Sequence, residues 1–183
     1  MPRVSRWVEQ VFGLVLSACP PPDDLGGASQ ADRWAYGTIG DNQLPPVCLP
    51  DAFEPNDAPL AVTTPLAAGT YPSLTLCPDE GGHPMWVGAD WYPIDVNAGD
   101  TIEVTVDFLH AEGNIFIGIA DFTNLDEPGD LGFSDGTGNQ EHVVAVAPYT
   151  RRYHLLVGLD IDAGTIPGNA YTLTIAVTPA PPV

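Results

Sequence analysis

The sequence contains no lysine. Only five arginines stand against 24 acidic residues, which gives the 183-residue chain a formal net charge of −19. A surface field of that sign repels nucleic acid and anionic lipid and attracts cations. We therefore expect no binding to nucleic acid, and the simplest interpretation of the charge is solubility.

Motifs for catalysis are also missing. The four histidines are His83, His110, His142 and His154, and no two of them have HExxH spacing, so zinc hydrolysis is not supported. No Gly-x-Ser-x-Gly elbow is present for serine catalysis. No pair of carboxylates is distinguished by its surroundings as the acid and base of a glycosidase. The sequence thus predicts a protein that is not an enzyme.

Long apolar runs are absent too. A transmembrane helix needs about 20 predominantly apolar residues, and the stretch Val11–Leu16 is far shorter. Arg3 and Arg6 precede this stretch, and Leu16-Ser17-Ala18-Cys19 ends it. The arrangement resembles a bacterial lipoprotein signal, in which the signal peptidase cuts before the cysteine and the thiol is acylated. Contact with a membrane is therefore expected only through a lipid anchor at Cys19.

The resemblance assigns residues 1–18 to a signal peptide and 19–47 to a tether rich in Pro, Gly and Asp. The alternative is an ordinary amphipathic helix that buries Cys19. Pro20-Pro21-Pro22 favours the tether, because three prolines end any helix at that point. We expect an exported protein, either lipid-anchored at the bacterial cell envelope, on the outer membrane or cell surface, or secreted.

Cysteine is scarce, and the count of three is odd. If Cys19 is consumed by processing, Cys48 and Cys77 remain as an even pair, which suits a disulfide formed in an oxidising compartment. Such a bond contributes about 3–4 kcal/mol to stability in the chain-entropy model. Two unpaired thiols in the core are the alternative.

A series of short alternating strands follows residue 48. Thr101–Leu109 shows the pattern most clearly, because apolar side chains alternate strictly with polar ones. The other strands predicted by alternation or by apolar β-branched runs are Thr70–Cys77, Asn114–Ala120, Glu141–Ala147, Arg152–Leu159 and Ala170–Val177. Turn residues separate them. The pattern predicts an all-β fold, a jelly-roll-like antiparallel β-sandwich of about eight strands at residues 48–178, with a disordered tail at 179–183.

Three short motifs occur in an order typical of one family. They are Asp51-Ala52-Phe53-Glu54-Pro55-Asn56-Asp57, Asp90-Trp91-Tyr92 and Ala98-Gly99-Asp100, and the closing strand contains Tyr171-Thr172-Leu173. In this respect the chain resembles the bacterial pre-peptidase C-terminal domain over about Cys48 to Val177. The resemblance implies a small secreted β-sandwich that is an accessory to something else.

The same resemblance implies a cation site. Some members of the family, notably the collagen-binding domains of clostridial collagenases, bind calcium through a segment of this kind. The ligands implied by motif are Glu54, Asn56, Asp57 and Asp90, and such hard oxygen donors suit Ca²⁺ as a cofactor. Ala52 and Val87 stand where those relatives supply further carboxylates, so the carried-over site is incomplete. The alternative is structural, with the same side chains capping a turn and bonding to the backbone of the preceding loop.

Aromatic side chains give a further recognition signal, because they stack on sugars or grip an extended polypeptide. Trp91 and Tyr92 face opposite sides of their strand if it is regular, and we expect Trp91 to pack inside and Tyr92 to lie at least partly outside. Trp86, in the loop before them, is the other candidate ligand-binding residue. The alternative for Trp86 is a buried side chain that fixes the loop to the sandwich.

These observations predict a non-catalytic binding or adaptor module of an exported lipoprotein, with calcium as a candidate stabilising cofactor and an extracellular polysaccharide or polypeptide as ligand. The second candidate is a purely structural domain that stabilises or assembles with a secreted peptidase or a surface complex.

Overall fold

The computed structural model describes residues 47–59, 61–78, 88–122 and 129–182. These residues belong to one compact unit, Val47–Val183. The predicted signal peptide, the tether up to residue 46, the lipidation site Cys19 and the candidate ligand-binding residue Trp86 lie outside the described residues and stay predictions.

Eight β-strands build the unit. They are β1 (Gly69–Leu76), β2 (Gly88–Val96), β3 (Thr101–Phe108), β4 (Gly113–Asp121), β5 (Gly129–Ser134), β6 (Gln140–Val146), β7 (Arg151–Asp162) and β8 (Asn169–Thr178). Among the described residues, no helix is long and apolar enough to cross a membrane.

The strands form two four-stranded antiparallel sheets. The first sheet has the order β1-β8-β3-β6, and the second has the order β2-β7-β4-β5. Most successive strands therefore lie in different sheets, which is the arrangement of a jelly roll with its Greek-key connections. The predicted jelly-roll-like β-sandwich of about eight strands is confirmed.

β5 is absent from the strands that the alternation predicts. Its residues are half-buried except Phe133, which is exposed, and two of its six positions are glycine. β5 is an edge strand paired only with β4, so its environment does not impose a strict change from buried to exposed at each residue. The spacing of apolar residues in the sequence therefore gives little indication of such a strand.

The core lies between the two sheets and follows the predicted period of two. In β3, Ile102, Val104 and Val106 are at most 1% exposed, while Glu103 and Asp107, on the opposite face, are exposed. Fully burying one such aliphatic side chain contributes about 1.5–3 kcal/mol. The largest fully buried side chains in this core are those of Tyr92 and Tyr153, each 0% exposed.

The two aromatic residues of β2 correct one expectation. Tyr92 is 0% exposed and belongs to the core between the sheets, so the prediction that it lies partly outside is wrong. Trp91 projects from the other side of β2 and is also buried, with its ring edge-on to Phe122 at 5.3 Å between centroids. The second sheet is thus apolar on both faces here, and Tyr92 is not available to stack on an external ligand.

A disulfide fastens the segment before β1 to the sandwich. Cys48 and Cys77 are joined by an S–S bond of 2.04 Å, with their Cα atoms 5.5 Å apart. The predicted pairing is confirmed, and the alternative of two free thiols is excluded. Asp51 adds a second attachment, because its carboxylate accepts hydrogen bonds from Phe53 N at 2.8 Å and Thr75 N at 2.9 Å.

The chain remains attached to the sandwich past the end of β8. Asp100, which is 6% exposed in the turn after β2, accepts a hydrogen bond at Oδ1 from Ala180 N at 3.0 Å. Its Oδ2 accepts from Asn97 N at 3.1 Å. The predicted disordered tail at 179–183 therefore includes at least one residue that bonds to the folded unit.

Candidate metal centre

The segment 51–57 lies beside β1 and β2, which are edge strands of the two sheets. Trp91 N in β2 donates to Asn56 O at 2.8 Å, which continues the hydrogen bonding of the sheet into the segment. Phe53 places its ring edge-on to Tyr71 and Tyr92, with centroids 5.9 and 5.7 Å away. Backbone bonding and an aromatic anchor thus fix the position of the acidic side chains that follow Phe53.

Three carboxylates converge there. Glu54, Asp57 and Asp90 each offer one oxygen, and these three oxygens lie within 4.8 Å of one another. Two oxygens on opposite sides of one calcium ion are separated by about 4.6–5.2 Å, twice the Ca–O distance. The three side chains, which we call the carboxylate cluster, therefore fit within the coordination sphere of one ion. Asp57 is exposed, so the carboxylate cluster has an open side toward solvent.

Asp90 forms the buried wall of the carboxylate cluster. It is 1% exposed, and Oδ2 accepts hydrogen bonds from Tyr171 Oη at 2.5 Å and Tyr92 Oη at 3.3 Å. Burial raises the pKa of Asp90 to about 8, against the lowering effect of the bond from Tyr171 and with a further increase from the charge of Glu54. The protonated form of Asp90 is thus favoured near neutral pH in the absence of a cation.

The two tyrosines respond to the same carboxylate. Their hydroxyl oxygens are 2.6 Å apart, so each is within hydrogen-bond distance of the other and of Asp90. Burial and then the charge of Asp90 raise the pKa values of Tyr92 and Tyr171 above the ordinary value of tyrosine. Both hydroxyls therefore stay protonated, and each lies within donating distance of the carboxylate.

Glu54 lies in a partly desolvated position. Burial raises its pKa, a hydrogen bond from Asn56 N at 3.0 Å lowers it, and the neighbouring charges of Asp57 and Asp51 raise it. The net direction is upward, which shows that the ionised form of Glu54 is disfavoured beside the other carboxylates.

Asn56 is completely buried in the middle of the site. Its amide satisfies every neighbour when Nδ2 donates to Glu54 Oε2 at 2.7 Å and Oδ1 accepts from Tyr92 Oη at 3.1 Å. In this orientation Asn56 positions Glu54. In the opposite orientation, Oδ1 faces the Glu54 carboxylate, and a cation bound by both oxygens would satisfy both acceptors.

No basic side chain among the described residues pairs with the carboxylate cluster. The two described arginines pair elsewhere, Arg151 with Asp121 at 2.7 Å and Arg152 with Asp95 at 2.8 Å. Three carboxylates within one coordination sphere repel one another and require a proton or a cation. Their geometry and donor chemistry suit a divalent oxygen-seeking ion.

The structure brings together three of the four implied ligands and places Asn56 beside them. The sequence did not indicate the hydroxyls of Tyr92 and Tyr171, which bond to the buried carboxylate. A signal for Tyr171 was present, because it belongs to the closing-strand motif. Its partner was not visible from the sequence, since 81 residues separate Tyr171 from Asp90.

Fold and site together define the class: a disulfide-linked jelly-roll β-sandwich with an oxygen-rich candidate metal centre at one edge. No protein-family model matches the chain, and no curated protein sequence matches it.

Comparison with solved structures finds similar folds at low sequence identity. The chain is similar to the pre-peptidase C-terminal domain of a collagenase from Bacillus anthracis, with 17% identity and a TM-score of 0.43 over 60% of this chain and 89% of that one. It is also similar to PliG of Aeromonas hydrophila, a periplasmic inhibitor of g-type lysozyme, with 17% identity and a TM-score of 0.40 over 64% of this chain and 93% of that one. A solved pre-peptidase C-terminal domain is thus among the similar structures, and neither likeness supports a function for this chain.

Proposed function

We propose that this protein is a non-catalytic binding or adaptor module of an exported bacterial lipoprotein, stabilised by calcium, that binds an extracellular polysaccharide or polypeptide. The main support for calcium binding is the carboxylate cluster, whose three oxygens lie within 4.8 Å of one another. In the described part of the chain, no basic side chain pairs with this cluster.

Glu54, Asp57 and Asp90 would hold the ion. A bound calcium ion would supply the positive charge that the carboxylate cluster lacks and would link the segment 51–57 to β2. The buried tyrosine hydroxyls at Asp90 orient its carboxylate for that role. A ligand that binds only the folded state stabilises it, by about 2.7 kcal/mol at a hundred times its dissociation constant.

The disulfide supports the export part of the proposal. Cys48 and Cys77 are bonded to each other, and such bonds form and persist in oxidising compartments outside the cytoplasm. Lipidation at Cys19 follows from the signal resemblance. Acylation is tested by expressing the full chain in a bacterial host and measuring the mass of its N-terminal peptide.

Thermal unfolding tests the calcium part. We expect a higher midpoint in calcium than in chelator, and a smaller effect from magnesium, which demands a tighter octahedral site. Asp57→Asn is expected to remove most of the calcium-dependent shift with little loss of stability in chelator, because Asp57 is exposed. Asp160→Asn, which removes an exposed charge from β7, serves as the matched control. Equal midpoints with calcium and chelator would remove calcium from the proposal.

Retention assays test the binding part. The full chain would be passed over insoluble polysaccharides such as cellulose, chitin and peptidoglycan, and over immobilised polypeptides such as gelatin and casein. Specific retention on either class supports the binding role. Failure on all of them, together with a stable complex formed without ligand, would support the second candidate instead.

The second candidate, a structural or assembly domain, is favoured by β6. This edge strand of the first sheet carries two exposed valines, Val144 at 52% and Val146 at 60% exposure. Unprotected edge strands with apolar side chains pair readily with another chain. Light scattering of the purified protein distinguishes the candidates, since assembly predicts an oligomer that charged substitutions at both valines disrupt.

A further inference from the structure

One of the four edge strands of the sandwich, β6, is regular and open to solvent. β6 pairs with β3 along its whole length without a register shift, and no described strand lies on its other side. Val144 and Val146, on its outer face, are 52% and 60% exposed. Such an edge offers a row of unpaired N–H and C=O groups to another strand.

The other three edges are obstructed. β1 contains Pro72 and Ser73, whose φ of 61° is left-handed, at a register shift. In β2, Trp91 N is already bonded to Asn56 O of the segment beside it. β5 has six residues, two of them glycine, and its pairing with β4 also contains a register shift. Bulges, proline and covering segments protect sheet edges from other chains, and among the described edge strands β6 lacks all three.

The backbone groups of alternate residues in β6 point to its open side. Phe108 N donates to Asn139 O at 3.0 Å, and Ala147 N donates to Asp100 O at 2.9 Å. Residues 139 and 147 thus direct their backbone groups toward β3. Because this direction alternates along a strand, the even-numbered residues between them direct their N–H and C=O groups away from β3. These residues are Gln140, His142, Val144 and Val146, and all four are exposed.

The acidic side chains near this edge are already bonded within the chain. Glu141, the one acidic residue of β6, is 2% exposed and accepts a hydrogen bond of 2.8 Å from the β5–β6 loop. Glu103 Oε1 of β3 lies 2.9 Å from His142 Nε2. Asp107 of β3 accepts a hydrogen bond of 2.7 Å from Gln140 Nε2. The exposed residues of β6 itself therefore include no acid, although the chain as a whole carries a net charge of −19.

We propose that β6 pairs antiparallel with β6 of a second copy of this chain, about a two-fold axis at Val144, so that the two first sheets join into one. In this register Val144 lies opposite its own counterpart, and Val146 lies opposite His142 of the other copy. Each of these pairs exchanges two hydrogen bonds. The next pair would set Gln140 opposite Pro148, and the ladder ends there because proline has no N–H.

A second copy suits this edge because the edge is complementary to itself. Each open N–H of one copy meets an open C=O of the other, and no pair in the register sets two charged side chains opposite each other. β-branched residues opposite each other stabilise a sheet, whereas an axis at Val143 would place both exposed valines opposite Gln140 and His142. The same patch serves both copies, so the assembly closes at two. The inference rests on the second candidate function, assembly, and names its partner.

Sedimentation equilibrium of the full chain tests the pairing, at about 1 µM to about 1 mM, because a small interface binds weakly. We expect a reversible dimer of twice the chain mass of 19.3 kDa. Salt is expected to strengthen it by screening the net charge. Val144→Glu sets two like charges opposite each other at the axis and is expected to weaken the dimer at least about tenfold. Val47→Glu is the matched control, since Val47 is 65% exposed and lies outside β6.

Disulfide cross-linking tests the register. Because Cys48 and Cys77 are bonded to each other, a cysteine added in a Cys19→Ser background is the one free thiol. Val144→Cys is expected to link two copies on mild oxidation, since the Cα atoms of a hydrogen-bonded pair are about 5.5 Å apart, within disulfide range. Val146→Cys is expected not to link, because the two copies of this residue would be offset by about 14 Å along the strands.

Three results would overturn the proposal. A chain that stays monomeric at every concentration would refute self-pairing. If that monomer is retained on a polysaccharide or polypeptide, the proposed binding function stands, and if it forms a stable complex with a secreted peptidase, the assembly role stands with a different partner. A dimer that Val144→Glu and Val47→Glu weaken equally would exclude β6 as the interface. Linking through Val146→Cys but not through Val144→Cys would refute the two-fold axis at Val144.

Discussion

Tyr171 in β8 donates a hydrogen bond of 2.5 Å across the sandwich to the carboxylate of Asp90 in β2. The two residues belong to different sheets and to the first and last parts of the folded unit. The contact joins the core to the carboxylate cluster, so a change at Tyr171 affects both stability and the response to a cation.

Tyr171→Phe is expected to lower the free energy of unfolding by about 1–3 kcal/mol in chelator, because the buried Asp90 loses its nearest donor. Urea denaturation measures the change. Tyr149→Phe is the control, since Tyr149 is 57% exposed and its ring beneath Arg151 is retained in phenylalanine. An unchanged urea midpoint for Tyr171→Phe would contradict the role given to this hydroxyl.

Stability is expected to fall as pH rises from about 4 to about 8 in chelator. The unfolded Asp90 has the ordinary pKa of 3.8, whereas burial raises the folded value to about 8. The folded state thus binds the proton more tightly than the unfolded state does. The stabilisation that results is complete below pH 3.8 and is lost as pH rises through about 8. The slope from one group is at most about 1.4 kcal/mol per pH unit.

Asp90→Asn is the control for that pH profile. It keeps the shape of the side chain and removes its titration, so the difference between the two profiles isolates Asp90. Calcium is expected to flatten the profile of the unmodified protein at the alkaline end, because the ion replaces the proton. Identical profiles for the two proteins in chelator would show that Asp90 does not titrate as described.

Gly168→Ala is expected to destabilise the protein by more than about 1 kcal/mol. Gly168 has a φ of 90°, and a Cβ there would lie 2.3 Å from Leu76 O and 2.8 Å from Cys48 Sγ. Gly138→Ala is the matched control, because its Cβ would meet only ordinary contacts, the nearest at 3.8 Å. Thermal midpoints of the two variants give the comparison, and equal midpoints would contradict the close approach at Gly168.

Replacing Cys48 and Cys77 together by alanine is expected to lower the free energy of unfolding by about 3–4 kcal/mol, the chain-entropy value for a bond that spans 29 residues. Urea denaturation under oxidising conditions gives the value. Reductant should lower the free energy of unfolding of the unmodified protein to that of the double variant, and it should leave the value for the variant unchanged. A variant as stable as the unmodified protein would show that other contacts suffice to hold the segment.

The fold was predictable where side chains alternate between core and solvent, as in β3, and much less so in β5, whose residues are mostly half-buried. Alternation also gave the wrong exposure for Tyr92. It assumes that one face of a strand is exposed to solvent, whereas both faces of β2 are buried at this point. Three residues of the candidate metal centre, Glu54, Asp57 and Asp90, were predictable from two short motifs. The hydrogen bond from Tyr171 to Asp90 was not, since 81 residues separate the two and only the fold brings them together.

The position of β8 sets the order in which this protein can mature. β8 lies between β1 and β3 in the first sheet, so β1 lacks its partner strand, and β3 has only β6 beside it, until β8 has been synthesised. Because Tyr171 comes from β8, the buried wall at Asp90 is incomplete in a nascent chain. If the protein is exported through a membrane pore and binds calcium as proposed above, a chain whose β8 has not yet left the pore would respond weakly to cations, and the response would appear only after β8 is released.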